Sequence, residues 1–256
     1  MLRGGRGIAA RLRLAEAWSP KIAEADQEIA DLERKKVGGL VDEHLDTGDR
    51  GRGGRSTSAF IAALQVLYAQ DGPIAAAMTA LWLPIMTAFA ADVAEDAAED
   101  VGHEDDVDLS TWAHAYTLSH VAYRLATSFG GLRKRTEAAD SQQDAAEAVV
   151  DLLTKWQQER PEQTARWESS QLPNAAARET WKEAGVRKLQ WVARGSKNCP
   201  YCTKLDGRTI AIEEPFIAKG DEVEGKDGET LKAKRNTFHP PVHAGCDCEV
   251  VPVVTD

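Results

Sequence analysis

The chain has 256 residues, with 31 Lys and Arg against 41 Asp and Glu and a formal net charge of −10. This length allows one large domain or two smaller ones with a sizeable core, while the acidic balance argues against a dedicated DNA-binding protein, which would carry a basic face. Alanine is abundant and only 6% of the residues are aromatic, a mixture that favours packed helices over a β-sandwich. No apolar signal core follows the basic start, so we expect no secretory leader and a loosely ordered basic arm.

The first predicted helix begins at Ser19 and Pro20, which resemble an N-cap and a first helical position. Apolar residues then follow at helical spacing, with charged residues between them: Ile22, Ala25, Ile29 and Leu32. We expect this helix to stop near Gly38 or to continue to about Leu45. The Gly/Arg-rich segment 47–58 predicts a flexible loop.

A helical pattern resumes in residues 58–70 and ends at Asp71-Gly72-Pro73. From Pro73 to Ala91 the chain carries no charge, but acidic flanks give no anchor for a membrane span, and Pro84 interrupts the run. We therefore expect a buried or partner-facing pair of helices here. Residues 92–108 hold nine acids and no Lys or Arg, which predicts a solvated acidic face.

Further helices are predicted at 109–129, closed by Gly130-Gly131, and from Asp140 to Pro161. Two shorter helices should follow, the second starting at Pro173-Asn174 and ending at Gly185. The pattern then changes to strand-like alternation, at 186–193, 208–212 and 248–254, with a hairpin turn at Lys226–Gly228. The sequence thus predicts a mainly α fold, in which a helical N-terminal body precedes a small α+β C-terminal module.

All four cysteines lie in this C-terminal module. Cys199 and Cys202 form a C-x-x-C pair, and Cys246 and Cys248 form a C-x-C pair 43 residues later, preceded by His239 and His243. Zinc prefers four thiolate or imidazole ligands in a tetrahedron, and a C-x-x-C turn supplies two of them. Either four thiolates close the site, or His243 replaces one of the last two cysteines. His239 is a fifth candidate ligand, or a donor of a hydrogen bond to one of the ligands.

A structural zinc ion suits a short module of hairpins and loops, because such a module buries little apolar surface. A disulfide framework would need an oxidising compartment, and a glutaredoxin-like site would need a βαβ unit that the pattern does not predict. A nucleic-acid-binding zinc ribbon would need a basic face, whereas residues 194–248 hold nine basic and nine acidic side chains. Glu213 and Glu214 are available as general bases for a catalytic zinc, but no metallohydrolase motif surrounds them.

Four ordered motifs in residues 161–254 resemble the phage head morphogenesis family, the Mu F-like minor head proteins. The family pattern has an Arg-x-Glu helix, a Gly-Val…Trp approach to a strand, a C-x-x-C-x-x-L-x-G turn and a closing H-P-x-C-R-C strand. The matching residues in this chain are Arg166, Glu168, Gly185, Val186, Trp191, Cys199, Cys202, Leu205, Gly207, Pro241, His243, Cys246 and Cys248. Trp167, Ala244 and Asp247 depart from the pattern, and none of these departures removes a candidate ligand.

The resemblance implies a minor capsid protein inside the virion head, at the portal vertex, that reaches the virion from the host cytoplasm during assembly. Its expected partners are portal, capsid and scaffold proteins, with a role in assembly, DNA packaging or DNA delivery, although charge gives no support for DNA contact. Residues 1–135 would be a helical, partner-docking region and residues 136–256 the Mu F-like domain, with its Cys-rich β module at 186–256. We expect no enzymatic activity and no membrane association, and a thiol-redox or zinc-dependent enzyme using Cys-Pro-Tyr-Cys is the alternative.

Overall fold

The computed structural model describes residues 4–45, 56–194, 199–225, 228–243 and 245–254. Within these residues the helices are α1 (Gly4–His44), α2 (Thr57–Leu67), α3 (Pro73–Val101), α4 (Ser110–Glu137), α5 (Gln142–Glu183) and α6 (Pro200–Leu205). The strands are β1 (Lys188–Val192), β2 (Thr209–Ala211), β3 (Glu222–Glu224), β4 (Thr230–Lys232) and β5 (Glu249–Pro252). Of the described residues 67% are helical, which confirms the prediction of a mainly α fold with a small strand-containing C-terminal region.

Helix α1 corrects the prediction for the N-terminal segment, since it begins at Gly4 and continues through Pro20. The predicted helix start at Ser19 and the loosely ordered arm are therefore wrong. A proline inside a helix removes one backbone hydrogen bond and costs about 3 kcal/mol. Contacts beside it offset this cost: the ring of Trp18 stacks on Phe89 at 5.6 Å, and its Nε1–H donates to Asp92 at 2.8 Å. At its other end the helix reaches His44, which agrees with the predicted end at about Leu45 and not with the one near Gly38.

Helix α2 begins where the sequence indicated, with Ser56 as its N-cap. The predicted loop at 47–58 otherwise lies largely outside the described residues. Helix α3 starts at Pro73 but passes through Pro84 without interruption, so the predicted pair of helices is one helix of 29 residues. It is long and apolar enough to span a bilayer by length and composition, while its largest apolar side chains, those of Trp82 and Phe89, are buried inside the protein.

Helix α4 continues past Gly130-Gly131, where the sequence predicted its end. The glycine at 131 serves packing instead, because a Cβ there would lie 3.3 Å from Cζ2 of Trp156 on α5. Helix α5 is likewise one helix of 42 residues rather than three, since it runs through Pro161 and Pro173. Its end is as predicted, with Gly185 at φ +81° in the left-handed conformation that glycine tolerates best.

Contact clustering divides the chain into two compact units, each built from separated segments. We call them the head unit (Met1–Pro20, Met86–Thr111 and Arg166–Asp256) and the bundle unit (Lys21–Ile85 and Trp112–Ala165). Helices α1, α3 and α5 each contribute residues to both units. The boundary drawn at residues 135 and 136 from the family resemblance stays a prediction.

The bundle unit is helical and contains a buried group of four charged side chains, which we call the ion quartet: Asp26, Glu33, Arg124 and Arg160. Arg124 Nη1 lies 3.2 Å from Asp26 Oδ1, and its Nη2 lies 3.4 Å from Glu33 Oε2. Arg160 Nη1 lies 3.3 Å from the same Glu33 oxygen, and the hydroxyl of Tyr68 donates to Glu33 Oε1 at 3.0 Å. Burial raises the pKa of Asp26, and Arg124 opposes this shift. Asp26 and Glu33 are two of the charged residues between the apolar positions of α1, and both are fully buried.

The head unit packs helices against a three-stranded antiparallel sheet of order β2-β1-β5. All three strands lie within the stretches predicted from alternation, and the alternating side chains Leu189 and Trp191 of β1 are fully buried. Trp191 pairs with Val250 of β5 and packs edge-on against Phe216 at 5.1 Å. Strands β3 and β4 form a separate antiparallel hairpin; of its predicted turn, residues 226 and 227 lie outside the described residues.

One buried arginine in the head unit corrects the prediction of a wholly solvated acidic face. Arg11 of α1 is fully buried, and its Nη1 donates to Asp100 of α3 at 3.2 Å. Its Nη2 donates to the backbone oxygen of Val250 at 3.0 Å, and its Nε lies 3.6 Å from Glu249. Asp100 therefore neutralises a buried cation, whereas neighbouring acids such as Glu99 are exposed as predicted.

Candidate metal centre

The first half of the candidate centre is the C-x-x-C pair at the start of α6. Cys199 is the N-cap residue, and its Sγ accepts a hydrogen bond from the backbone N–H of Cys202 at 3.2 Å. Pro200 occupies the first helical turn, where its missing N–H costs nothing. The predicted turn is therefore the first turn of a six-residue helix, and Gly207, with φ +74°, leads the chain from α6 into β2.

The second half is the C-x-C pair, which directly precedes β5. Cys246 and Cys248 are 4% and 2% exposed. The backbone N–H of Cys246 donates to the backbone oxygen of His243 at 3.2 Å, across a turn in which Gly245 has φ +76°. Glycine suits position 245 for two reasons: it tolerates this positive φ, and a Cβ here would lie 3.2 Å from Arg166 Nη2. The turn joins the backbone of Cys246 to that of His243, whose imidazole groups with Cys199 and Cys202 of the first half.

The two halves meet at the sulfur of Cys202. This Sγ lies 3.6 Å from Cys246 Sγ and 3.7 Å from His243 Nε2. Two groups of three side chains have ligand atoms within 4.8 Å of one another, Cys199/Cys202/His243 and Cys202/Cys246/Cys248. Cys202 belongs to both groups, so the five side chains singled out by their spacing gather around one buried sulfur.

These distances suit a tetrahedral zinc ion. With Zn–S bonds of about 2.3 Å and Zn–N bonds of about 2.0 Å, two ligand atoms of a tetrahedron lie roughly 3.5–3.8 Å apart. The Cys202–Cys246 and Cys202–His243 distances fall in or close to that range. The contact between His243 Nε2 and Cys199 Sγ is shorter, at 2.8 Å, so these two donors would have to separate to share an ion. Five donors surround a centre that needs four, which leaves the choice between a Cys₄ and a Cys₃His set open.

The thiols influence one another's protonation. The hydrogen bond with Cys246 raises the pKa of Cys202, and the same bond lowers the pKa of Cys246 to about 2. Burial raises the pKa of Cys199, but the N–H of Cys202 and the imidazole of His243 outweigh it and lower that pKa. A metal ligand must be a thiolate, so an ion binding at Cys202 would displace the proton that this thiol retains.

The alternatives weighed from the sequence can be compared with this geometry. All four cysteines are free thiols, so the structure contains no disulfide among them. The Cys-Pro-Tyr-Cys motif does lie at a helix N-terminus, which the sequence analysis did not predict, but the strands on either side of α6 pair antiparallel and not as a βαβ unit. Glu213 forms ion pairs with Lys182 at 3.2 Å and Arg178 at 3.8 Å. Among the described residues neither metal-competent group contains a carboxylate.

His239 lies outside both groups. It is half-buried, and its Nδ1–H donates to the backbone oxygen of Pro240 at 2.7 Å. Burial lowers the pKa of His239 to about 4, so the ring is neutral under physiological conditions. Among the described residues, neither group of metal-competent side chains includes His239.

Two polar residues of α5 contact the cluster's backbone and were missed by sequence reasoning. Ser170 Oγ donates to the backbone oxygen of Cys246 at 3.0 Å, and Asn174 bonds to Cys248 and Val250. The sequence shows only an asparagine directly after Pro173, which we interpreted as a helix start; the structure shows that this asparagine is fully buried. Comparisons of the chain with protein-family models, with curated proteins and with solved structures found no match.

Proposed function

We propose that the cysteine and histidine cluster binds one zinc ion and that this ion has a structural role. The observation that carries this proposal is the meeting of both cysteine pairs at the buried sulfur of Cys202. Sulfur and imidazole donors without a carboxylate are typical of closed structural zinc sites. After α6, the described residues between the two pairs form strands of three residues each and turns, so an ion that ties α6 to the start of β5 would cross-link a segment with little regular secondary structure.

We further propose that the protein is a bacteriophage minor head protein of the Mu F-like kind. Its motif residues support this proposal by their positions, because Arg166 and every later motif residue belong to the head unit. Trp191 and Glu168 are fully buried, and Gly185 and Gly207 occupy left-handed backbone positions. These residues of the family pattern are thus buried or occupy left-handed backbone positions in the same unit as the metal-competent cluster, which supports the proposal.

In this proposal the protein has no enzymatic activity and acts in assembly at the portal vertex, with portal, capsid or scaffold proteins as partners. A thiol-redox function is the second candidate, and one observation favours it. Cys199 is half-buried, caps α6 and lies 2.8 Å from His243 Nε2, an arrangement that lowers the pKa of a thiol and makes it more reactive.

Metal analysis of the purified chain tests the zinc proposal. We expect one zinc per chain and its loss in Cys202→Ser, because this residue belongs to both ligand groups. Glu213→Gln is the matched control, since Glu213 lies in the head unit but outside the cluster. A chain without zinc that catalyses reduction of a mixed disulfide would overturn the structural zinc site in favour of the redox function.

Co-purification tests the head-assembly proposal independently of the metal. The chain should co-purify with the portal protein of a phage that encodes it and should be present in purified heads. A zinc-loaded chain that is missing from purified heads would reject the minor-head function while leaving the metal site intact.

A further inference from the structure

The two halves of the candidate metal centre are held in different ways. The C-x-x-C pair organises itself, since Cys199 caps the helix that carries Cys202. Thr203 reinforces this turn, with its backbone N–H and its hydroxyl both donating to the backbone oxygen of Cys199 at 3.1 Å. All of these contacts lie within five consecutive residues.

The C-x-C pair instead depends on α5, whose relevant residues lie more than 70 positions earlier in the chain. Ser170 Oγ donates to the backbone oxygen of Cys246 at 3.0 Å. One turn along the helix, Asn174 Nδ2 donates to Ser170 O at 2.9 Å and to the backbone oxygen of Cys248 at 3.4 Å. Asn174 Oδ1 accepts the backbone N–H of Val250 at 2.9 Å.

These bonds fix the backbone on the carbonyl side of both ligand cysteines. Backbone torsions determine where a cysteine Sγ points, because the side chain is short and has one rotatable bond before the sulfur. Asn174 is fully buried, so its amide groups must find partners inside the protein. The amide nitrogen of Asn174 bonds to residue 248 and its amide oxygen bonds to residue 250. These two bonds fix the position of the loop along α5.

We propose that Ser170 and Asn174 are positioning residues for the metal centre, which orient the thiolates of Cys246 and Cys248 through their backbone. This inference rests on the proposed zinc site and goes beyond it, because it assigns the preorganisation of one half-site to a helix that supplies no ligand. Partners of metal ligands that hydrogen-bond in this way typically change metal affinity by about 10–100-fold when they are removed.

The test compares neighbouring serines of α5. Ser170→Ala removes the bond to Cys246, whereas Ser169→Ala is a matched control, since Ser169 Oγ contacts the backbone oxygen of Ala15 at 3.4 Å instead. We expect Ser170→Ala to raise the zinc dissociation constant of the full chain about tenfold and Ser169→Ala to leave it within about twofold. Ser170→Thr keeps the hydroxyl and should restore most of the affinity. Asn174→Ala, which loses the bonds to Cys248 and Val250, should have the larger effect.

Two further readouts separate positioning from general stability. Cobalt-substituted Ser170→Ala should show altered d–d absorption bands, because these bands report ligand geometry. Alkylation followed by mass spectrometry should label Cys246 and Cys248 faster in the zinc-loaded variant than in zinc-loaded wild type, while the labelling rates of Cys199 and Cys202 change little. Labelling rates of Cys246 and Cys248 equal to those of wild type, or unchanged zinc affinity in both α5 variants, would refute the positioning role. A wild-type chain that binds no zinc would instead refute the proposed metal site.

Discussion

Replacing Glu33 with glutamine tests whether the ion quartet of the bundle unit is a balanced structure. The Glu33 side chain is 1% exposed and accepts from Tyr68, Arg124 and Arg160. The quartet pairs two guanidinium groups with two carboxylates. Glutamine has nearly the same shape but no charge, so Glu33→Gln leaves the buried Arg124 and the half-buried Arg160 with the single carboxylate of Asp26.

The expected cost follows from this imbalance. Removing one partner of a buried ion pair typically destabilises a protein by about 3–5 kcal/mol, because it leaves a buried charge uncompensated. Tyr68→Phe removes only one hydrogen bond to Glu33 and should cost about 1.5–3 kcal/mol. The double variant Glu33→Gln/Arg160→Met removes one charge of each sign. Its cost should fall below the sum of the two single variants by about 1–3 kcal/mol.

Urea unfolding followed by helical circular dichroism measures these differences, at saturating zinc so that the head unit stays unchanged. Hydrogen exchange of α4 amides then assigns the loss to the bundle unit, because Arg124 lies on α4. A cost for Glu33→Gln below about 1 kcal/mol, or additive costs in the double variant, would show that the quartet is not a coupled charge network.

Three further predictions follow from single sites. Gly130→Ala should stabilise α4 by about 1 kcal/mol, since a Cβ there meets nothing within 4 Å. Gly131→Ala should stabilise it by less than half of that amount, because its Cβ would lie 3.3 Å from Trp156. Equal gains in the free energy of unfolding, measured with urea, would contradict the close packing at Gly131. Burial, with the charge of Asp100, raises the pKa of Asp96 to about 6, so its contribution to stability falls as pH rises from 4 to 7. Asp96→Asn should remove this fall, which is about 1 kcal/mol after allowing for solvent screening of a half-exposed group, and a variant with the same pH profile as wild type would contradict the shift. Zinc affinity should fall at least tenfold per pH unit on acidification, because binding displaces the proton of Cys202, and in a ligand set with Cys248 that of Cys248 as well. A pH-independent affinity in chelator competition would contradict that displacement.

The sequence predicted which segments are helical far better than it predicted where helices end. Pro20, Pro84, Pro161 and Pro173 all lie inside helices, although local rules place helix ends or starts at proline. Tertiary contacts decided these cases, as the stacking of Trp18 beside Pro20 illustrates. Such contacts join residues far apart in the chain, and no local pattern encodes them.

The sequence predicted the candidate ligands of the site, but not the residues that hold the backbone of those ligands. Cysteine spacing is a local signal, and the structure gathers the cysteines and His243 that this spacing singled out. The roles of Ser170 and Asn174 depend on a long-range approach of α5 to residues 246–250. Their sequence context predicted a helix start at Pro173-Asn174, so the pattern concealed their function.

The difference between the two half-sites bears on how zinc would stabilise the protein. Local contacts can form the Cys199–Cys202 turn in an otherwise unfolded chain, but the Cys246–Cys248 loop reaches its geometry only when α5 and β5 lie together. Binding of the proposed zinc ion to the complete site would therefore require the packed head unit, and its binding free energy would add to the stability of that unit by linkage. A metal held only by residues of its own hairpin would stabilise that hairpin alone. Here the ion would connect α6 with a loop that α5 already holds, so its removal should loosen the whole β2-β1-β5 sheet and not the tail alone.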